Sequence, residues 1–135
     1  MSTSQLYAVL KRLEVEEYIS GSQVEVPDAP PRVMYSLTKM GEDRLLAWLY
    51  DQDPPVSIHK IRVMFLSRLY IALLLQLPFE DVVNQQNLIL QNRLKILENE
   101  KLILTTQIEN LAVELMIRQI ESAISWLQYC KSILV

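Results

Sequence analysis

The sequence has few of the residues that enzymes use for catalysis or metal binding. It contains one histidine, His59, and one cysteine, Cys130, among 135 residues. A zinc site needs a cluster of such ligands, and an intrachain disulfide needs two cysteines. The only glycines, Gly21 and Gly41, do not form a phosphate-binding loop. These absences predict a chain that is not an enzyme and that uses no cofactor and no metal.

Long hydrophobic runs and an apolar leader are also missing. The longest apolar run, residues 69–77, is shorter than the roughly 20 residues that span a bilayer, and Arg68 and Pro78 flank it. The first residues are polar and lack the apolar core of a signal peptide. The single cysteine suits a reducing compartment. We therefore expect a cytoplasmic protein without a membrane partner.

Composition and charge indicate the architecture but give no overall signal for nucleic acid. Half of the residues are apolar and only two are glycine, which favours a mainly helical fold. Acidic residues and prolines at 51–55 predict a linker, and hence two domains, residues 1–53 and residues 54–135. The net charge is −3, and the first fifty residues hold five basic and seven acidic side chains. Any DNA contact must therefore come from a local patch.

The start of the chain has the pattern of an amphipathic helix. Its apolar face, with residues three and four apart, consists of Leu6, Val9, Leu10 and Leu13. The opposite face is small near its start and basic further along, and consists of Ser4, Ala8, Lys11, Arg12 and Val15. Small residues let a helix approach bases in the major groove, and cations can reach phosphates or guanine edges.

A β-hairpin and a second helix are predicted to follow. Residues 23–26 and 32–37 have strand-like patterns, and the proline-rich loop 27–31 separates them. Thr38 is a predicted N-cap, after which a buried stripe is formed by Leu45, Leu46 and Leu49. Helix, hairpin and helix is the order of the latter part of a winged helix-turn-helix.

Two motifs resemble the PadR family of transcriptional regulators. The first resembles its recognition helix and comprises Ser4-Gln5-Leu6-Tyr7, Leu10, Arg12-Leu13-Glu14 and Tyr18-Ile19. The second resembles its second wing strand and next helix start, and comprises residues 31–38 with Gly41. The resemblance implies a partial winged helix-turn-helix, without the two helices that usually precede it, followed by a helical dimerisation domain. Glu17 stands where the family usually has glycine.

The second half of the chain is predicted to be helical throughout. Ser57 to Leu77 has the pattern of one helix, and Pro78 lies where the next should start. That next helix carries a seven-residue repeat, formed by Val83, Leu90, Leu97, Leu104 and Leu111 with a parallel row of Val82, Ile89, Ile96 and Ile103. The sequence alone allows one helix that continues past residue 110. The resemblance implies instead a turn, placed at residues 105–110, and a final antiparallel helix.

The resemblance also implies a function and its site. The chain would bind double-stranded DNA at a promoter operator as a homodimer formed by the C-terminal helices, usually as a repressor. The expected DNA-binding residues are Ser2, Thr3, Ser4, Gln5, Tyr7, Ala8, Lys11, Arg12 and Arg32. Tyr7 could instead pack against preceding helices, and the basic side chains could be an ordinary solvated face. Trp126 is a candidate for a small-molecule effector pocket, with a packed core tryptophan as the alternative.

A different class of function remains open from the sequence alone. The acidic balance and the absence of two expected helices suit a helical homodimerisation or protein-interaction module that has lost DNA binding. We also expect residues 1 to about 20 to be the least stable part of the chain, because the apolar face of their helix lacks its usual partners.

Overall fold

The computed structural model describes residues 1–134 and divides the chain into two compact units. The first unit ends at Trp48 and the second begins at Leu49, whereas the sequence predicts a boundary after Asp53. The domain limits stay a prediction. The elements confirm the predicted mainly α class with one small hairpin.

The first unit contains two helices and a two-stranded sheet. Helix α1 spans Thr3–Val15, strands β1 and β2 span Ile19–Val24 and Arg32–Leu37, and helix α2 spans Lys39–Leu49. The strands are antiparallel, and Ile19 pairs with Leu37. The predicted second strand is confirmed, but the first begins at Ile19 and not at Gln23. Pairing with β2 draws Ser20, Gly21 and Ser22 into the sheet although these residues have little intrinsic strand preference.

Helix α1 ends in a motif that requires an unusual backbone conformation. The amide of Tyr18 donates to the carbonyl of Leu13 at 2.9 Å, and the amide of Glu17 donates to that of Glu14 at 3.0 Å. These are the two hydrogen bonds of a Schellman motif, in which the residue after the cap is left-handed. Glu17 holds that place with φ 64°. The structure thus gives a physical reason for a glycine preference at this position.

The residues that follow this motif are fixed to the start of α2. The Thr38 hydroxyl donates to the carbonyl of Glu17 at 2.6 Å and accepts from the amide of Gly41 at 3.0 Å. The Thr38 amide donates to the carbonyl of Tyr18 at 3.1 Å. A Cβ on Gly41 would lie 1.9 Å from that carbonyl oxygen. Thr38 is therefore an N-cap as predicted, and Gly41 is needed because two backbones meet here.

The second unit is a long helical hairpin with a shorter helical segment packed on it. The shorter segment consists of helix α3 at Ile58–Lys60, a π-helical turn at Ile61–Phe65 and helix α4 at Leu66–Leu74. The hairpin consists of α5 at Glu80–Lys101 and α6 at Gln107–Leu134. The predicted helix over 57–77 therefore contains a π turn and ends earlier than expected. It ends in another Schellman motif, with Gln76 left-handed at φ 55° and Leu77 donating to Ala72 at 2.8 Å.

The heptad pattern describes the seam between α5 and α6 as far as Leu97, whereas Ile103 and Leu111 beyond it are 78% and 66% exposed. Val83, Leu90 and Leu97 are at most 1% exposed, and the α6 residues buried in the same unit include Ile117, Ile120, Ile124 and Leu127. The turn between the helices is earlier than predicted, because Thr106 caps α6 through a bond from the Glu109 amide to its hydroxyl at 3.2 Å. A capping hydroxyl outweighs the weak helix preference that suggested a later turn.

The predicted linker is packed against the second unit. Arg68, which is 3% exposed, forms an ion pair with Asp51 at 3.3 Å. Three further hydrogen bonds hold the segment, from Tyr50 to the carbonyl of Pro78 and from Gln85 and Gln86 to the carbonyls of Gln52 and Pro55. Burial, together with Asp81, raises the pKa of Tyr50. The segment is thus part of the second unit's packing.

Replacing Glu17 with glycine should stabilise the first unit. A left-handed residue with a Cβ costs about 1–2 kcal/mol, partly offset by the greater chain entropy of unfolded glycine. We expect Glu17→Gly to raise the free energy of unfolding by about 0.5–1 kcal/mol, measured by urea unfolding and by hydrogen exchange of α1 amides. Glu16→Gly removes the same charge at φ −78° and should destabilise the unit. Equal effects of the two changes would contradict the backbone explanation.

Replacing Gly41 with alanine should destabilise the same unit. The new Cβ would overlap the Tyr18 carbonyl, so the two backbones must separate, at a cost of about 2–3 kcal/mol. Gly21→Ala is the matched control, because its nearest neighbours are side-chain atoms of Tyr35 and Val33 at 3.0 Å, which can shift. Urea unfolding should therefore show a clearly smaller loss for Gly21→Ala. A Gly41→Ala protein as stable as the parent would show that the close approach is not required.

Candidate nucleic-acid interface

The N-terminus of α1 is fixed by a capping box. The Ser2 hydroxyl accepts from the Gln5 amide at 3.2 Å, and the Ser2 amide donates to Gln5 Oε1 at 2.8 Å. The hydroxyls of Ser2 and Ser4 are 3.1 Å apart. These bonds satisfy two amides that a helix start leaves free, and they fix the direction in which α1 leaves the chain. Sequence reasoning assigned Ser2 and Gln5 to DNA and missed this capping role, although the spacing Ser-x-x-Gln indicates it.

All of the predicted DNA-binding residues are exposed, and eight of the nine lie on or next to α1. These are Ser2, Thr3, Ser4, Gln5, Tyr7, Ala8, Lys11 and Arg12. Because the Ser2 hydroxyl and the Gln5 Oε1 atom belong to the cap, the Gln5 amide NH₂ and the Ser4 hydroxyl are the polar groups best placed to contact a ligand. The assignment of these residues to DNA stays a prediction.

Lys11 and Arg12 occupy different parts of the polar face. At about 100° per residue, Ser4 and Ala8 lie between the two cations, with Lys11 about 20° from Ser4 on one side and Arg12 about 40° from Ala8 on the other. Arg12 lines an open groove of about 660 Å³ within the first unit, together with Arg44 of α2. Lys11 therefore lies about 30° from the direction opposite the apolar face of α1, and Arg12 lies about 70° from that direction, on the other side of it.

Arg44 is a candidate that the sequence reasoning missed. It is exposed and lines the same groove as Arg12, so two cations from different helices lie at one concave surface. The other basic residue of α2, Lys39, forms an ion pair with Asp43 at 2.9 Å. That hydrogen bond and charge raise the pKa of Lys39. No spacing in the sequence indicates that Arg44 lies near Arg12, because the two residues belong to separate helices.

Arg32 begins strand β2, beside the loop that joins the two strands. It pairs with Val24 at the end of the hairpin and is exposed. The loop begins with a turn in which the Ala29 amide donates to the carbonyl of Val26 at 3.3 Å, and Asp28 is left-handed at φ 61°. With proline at the second position, this is a type II pattern. The tip of the hairpin thus holds Arg32 close in sequence to two exposed acids, Glu25 and Asp28, and it lacks a net positive charge.

The apolar face of α1 is only half covered in the first unit. No residue of α1 is buried, and Leu6 is 47% exposed. The groove beside it is lined by further apolar side chains, Leu13, Ile19, Leu37, Leu45 and Trp48. These residues line the groove together with the charged side chains of Arg12, Glu16 and Arg44.

Trp126 lies in the second unit and is half-buried. Its ring meets that of Phe65 edge to face, with centroids 5.6 Å apart and planes at 73°. It also lines an open groove of about 360 Å³ with the α3 and π-turn residues Ile58, Ile61 and Arg62, with Leu66, and with Ser122 and Ala123. The packed position and the open groove suit both interpretations of this tryptophan, and its role in an effector pocket stays a prediction.

The other residues that could carry chemistry are dispersed. His59 is exposed at the start of α3, and Cys130 is buried on α6, where burial raises the pKa of its thiol. Across residues 1–134, no group of three or more His, Cys, Asp or Glu side chains is arranged to hold a metal ion. None of the helices described is both long enough and apolar enough to cross a membrane.

Comparison with known proteins agrees with the resemblance of the first unit. Residues 1–47 match the model of the transcriptional regulator PadR-like family. A comparison with curated proteins gives no match. Two solved structures are similar over most of their length. The first, Bacillus subtilis PadR in complex with operator DNA, is 21% identical, with 99% of this chain and 80% of that chain covered and a TM-score of 0.42.

The second similar structure is smu.1604c from Streptococcus mutans UA159. It is 19% identical, with 98% of this chain and 79% of that chain covered and a TM-score of 0.45. Because both TM-scores are below 0.5, the assignment rests on the family match over residues 1–47, which includes α1, both strands and most of α2. The family is one of transcriptional regulators and not of enzymes, as the sequence predicts. Over residues 1–47, the first unit is therefore similar to the PadR-like family of transcriptional regulators.

Proposed function

We propose that this chain is a transcriptional regulator that binds double-stranded DNA in the cytoplasm, and that as a homodimer it represses transcription by occupying a promoter operator. The observation that supports this most directly is the exposed polar face of α1, in a unit that matches a regulator family. An α-helix fits the major groove of B-DNA, where each base pair presents its own pattern of donors and acceptors.

The side chains of α1 suit a close approach to base edges. Ser4 and Ala8 are small and lie between Lys11 and Arg12 on the helix surface, so the helix axis can come near the groove floor while the longer lysine reaches a phosphate or a guanine edge. Arg12, at the edge of this face, is better placed for the backbone at the side of the groove. The capping box holds the first turn rigid, which limits the entropy lost on binding.

The hairpin supplies a second contact in this proposal. Arg32 lies beside the hairpin loop, from which an arginine can enter the minor groove or contact phosphate. The acids Glu25 and Asp28 oppose a long-range attraction between the hairpin and DNA. The contribution of Arg32 to DNA binding therefore depends on direct contact. In this proposal, the hairpin helps to orient the protein on DNA more than it increases the affinity for DNA.

One observation favours a second candidate, a dimerising protein-interaction module without DNA binding. The first unit is acidic on balance, and the apolar face of α1 is half exposed beside an apolar groove. Such a surface also suits a protein partner. Binding of the chain to DNA with a preferred sequence separates the two candidates, because a module that has lost DNA binding shows no such preference.

The proposal includes a homodimer and a small-molecule effector. A two-fold dimer presents two copies of α1 to a pseudo-palindromic operator whose half-sites are about 34 Å apart, one turn of DNA. The effector would occupy the groove at Trp126, and binding there should change the indole fluorescence of the parent protein but not of Trp126→Phe.

Removing the cations of α1 should weaken DNA binding. The probe is a duplex that the wild-type protein selects from a random pool. We expect Lys11→Ala to cost about 1–3 kcal/mol if Lys11 reads a base, and Arg12→Ala to lower the salt slope by about one unit if Arg12 contacts phosphate. Lys95→Ala, an exposed lysine of α5, is the control that removes the same charge from the second unit. Unchanged affinity and salt slope in both α1 variants would contradict the assignment of α1.

The homodimer should form through the second unit in the absence of DNA. Large apolar side chains exposed there include Tyr70, Leu74, Leu102, Ile108 and Leu111, each more than 60% exposed, and such surface is normally covered by a partner. Sedimentation velocity of the full chain at micromolar concentration should show a dimer. A monomer at all accessible concentrations would contradict the homodimer.

A further inference from the structure

The capping box of α1 fixes how one side chain of the proposed DNA-binding helix can form hydrogen bonds. The Ser2 amide donates to Gln5 Oε1 at 2.8 Å, and the Gln5 amide donates to the Ser2 hydroxyl at 3.2 Å. A backbone N–H can only donate. The Gln5 side-chain atom that faces the Ser2 amide must therefore be the carbonyl oxygen, and this fixes the orientation of the whole side-chain amide.

The NH₂ group of Gln5 is the part of this side chain that remains for a ligand. Within residues 1–134, this group donates no hydrogen bond, and Gln5 is exposed. An amide NH₂ group has two donors and no acceptor. While the capping box holds, Gln5 therefore presents only donors to a partner at the start of α1.

The position of Gln5 on α1 suits contact with bases. In helix-turn-helix complexes, the N-terminal residues of the helix in the major groove reach the base edges. Gln5 lies in the first turn of α1, about 20° beyond Arg12 around the helix, and the capping box holds its side chain close to Ser2. In the proposed complex, the NH₂ group then lies at the end of α1 that enters the groove.

A glutamine that can only donate matches a different base from a glutamine whose side chain is free. A free side chain pairs with adenine, since Oε1 accepts from N6 and the NH₂ group donates to N7. Guanine presents two adjacent acceptors in the major groove, O6 and N7, whereas thymine presents one acceptor beside a methyl group. Adenine and cytosine each present an NH₂ donor, which would face the donors of Gln5. The donor-only amide therefore matches guanine best.

We propose that Gln5 is a specificity-determining residue that selects guanine, because the Ser2 amide holds its carbonyl oxygen in the capping box. The inference rests on the proposed DNA binding and deepens it by naming a base and the atoms that read it. The NH₂ group donates to O6 and N7 of one guanine in each half-site, as a lysine amine does. Ser2 is a positioning residue, since its backbone amide determines which base Gln5 reads.

The test compares the affinities of duplexes that differ at a single base pair. The starting duplex is one that the wild-type protein selects from a random pool, and each half-site position is replaced by the other three base pairs in turn. The position read by Gln5 is the one at which Gln5→Ala loses its base preference. There the wild type should bind guanine about tenfold or more better than adenine. Each preference is a ratio of two affinities, so a uniform loss of affinity in a variant cancels.

Gln5→Glu should change the preferred base while it keeps the capping box. One carboxylate oxygen can accept from the Ser2 amide, as glutamate does in capping boxes. The other oxygen can only accept, so it matches the N4 amine of cytosine. We expect cytosine to replace guanine as the preferred base at this position. Gln128→Glu is the control, because it adds the same charge at an exposed glutamine of α6 and should retain the guanine preference.

Two substitutions of Ser2 separate the role of its amide from that of its hydroxyl. Ser2→Pro removes the N–H that donates to Gln5 Oε1, and the backbone there, at φ −76° and ψ 162°, suits proline. With Oε1 free, the preferred base should shift from guanine to adenine. Ser2→Ala loses one capping bond but retains the N–H, so it should still prefer guanine.

The outcomes separate this inference from the proposed function. A wild type that selects no sequence contradicts both. A wild type that selects a sequence overturns only the reading of guanine if Gln5→Ala changes no base preference, if the Gln5 position prefers another base, or if folded Ser2→Pro retains guanine. If Ser2→Pro fails to fold by circular dichroism, Gln5→Glu decides, because glutamate keeps the cap. A guanine preference retained by Gln5→Glu overturns the inference.

Discussion

The carbonyl groups of Glu17 and Tyr18 determine how the first unit is built. Both accept from Thr38, and the second lies so close to Gly41 that no side chain fits between them. The same two residues end α1 and lead into β1. One junction therefore sets the angle of α1 to both the hairpin and α2. Because α1 itself buries no residue, these short backbone contacts contribute more to its orientation than packing does.

Where local chemistry decides the structure, the sequence could predict it. The cap at Thr38, strand β2 and the buried row of Val83, Leu90 and Leu97 follow from residue type and spacing alone. The errors occur where a distant contact or a cap competes with propensity. Strand β1 is extended by pairing with β2, and the capping hydroxyl of Thr106 moves the α5–α6 turn. No sequence feature marks the π turn at Ile61–Phe65. A π turn inserts one extra residue into a helix, and the spacing of the apolar residues in this helix is otherwise regular.

The candidate DNA-binding site could be predicted in its residues but not in its geometry. Each predicted side chain is exposed, yet the sequence did not show that Ser2 and Gln5 cap the helix, or that Arg12 shares a groove with Arg44. Capping is readable from spacing. The proximity of Arg12 and Arg44 is not, because it depends on the angle between two helices, which the contacts of Thr38 and Gly41 determine.

Charge explains why assembly would matter to the proposed DNA binding of a chain with this composition. The chain carries −3 overall, and the first unit has more acids than bases, so attraction at long range cannot supply DNA affinity. Each α1 offers only Lys11 and Arg12, and so few phosphate contacts release few counterions. The proposed homodimer would change this, because once one half-site is bound the other binds as an intramolecular step at a high effective concentration. An acidic protein with two small cationic patches would then gain through dimerisation the DNA affinity that a strongly basic monomer gains from long-range electrostatic attraction. In the proposed homodimer, the exposed apolar side chains of the second unit would contribute to DNA affinity without touching DNA.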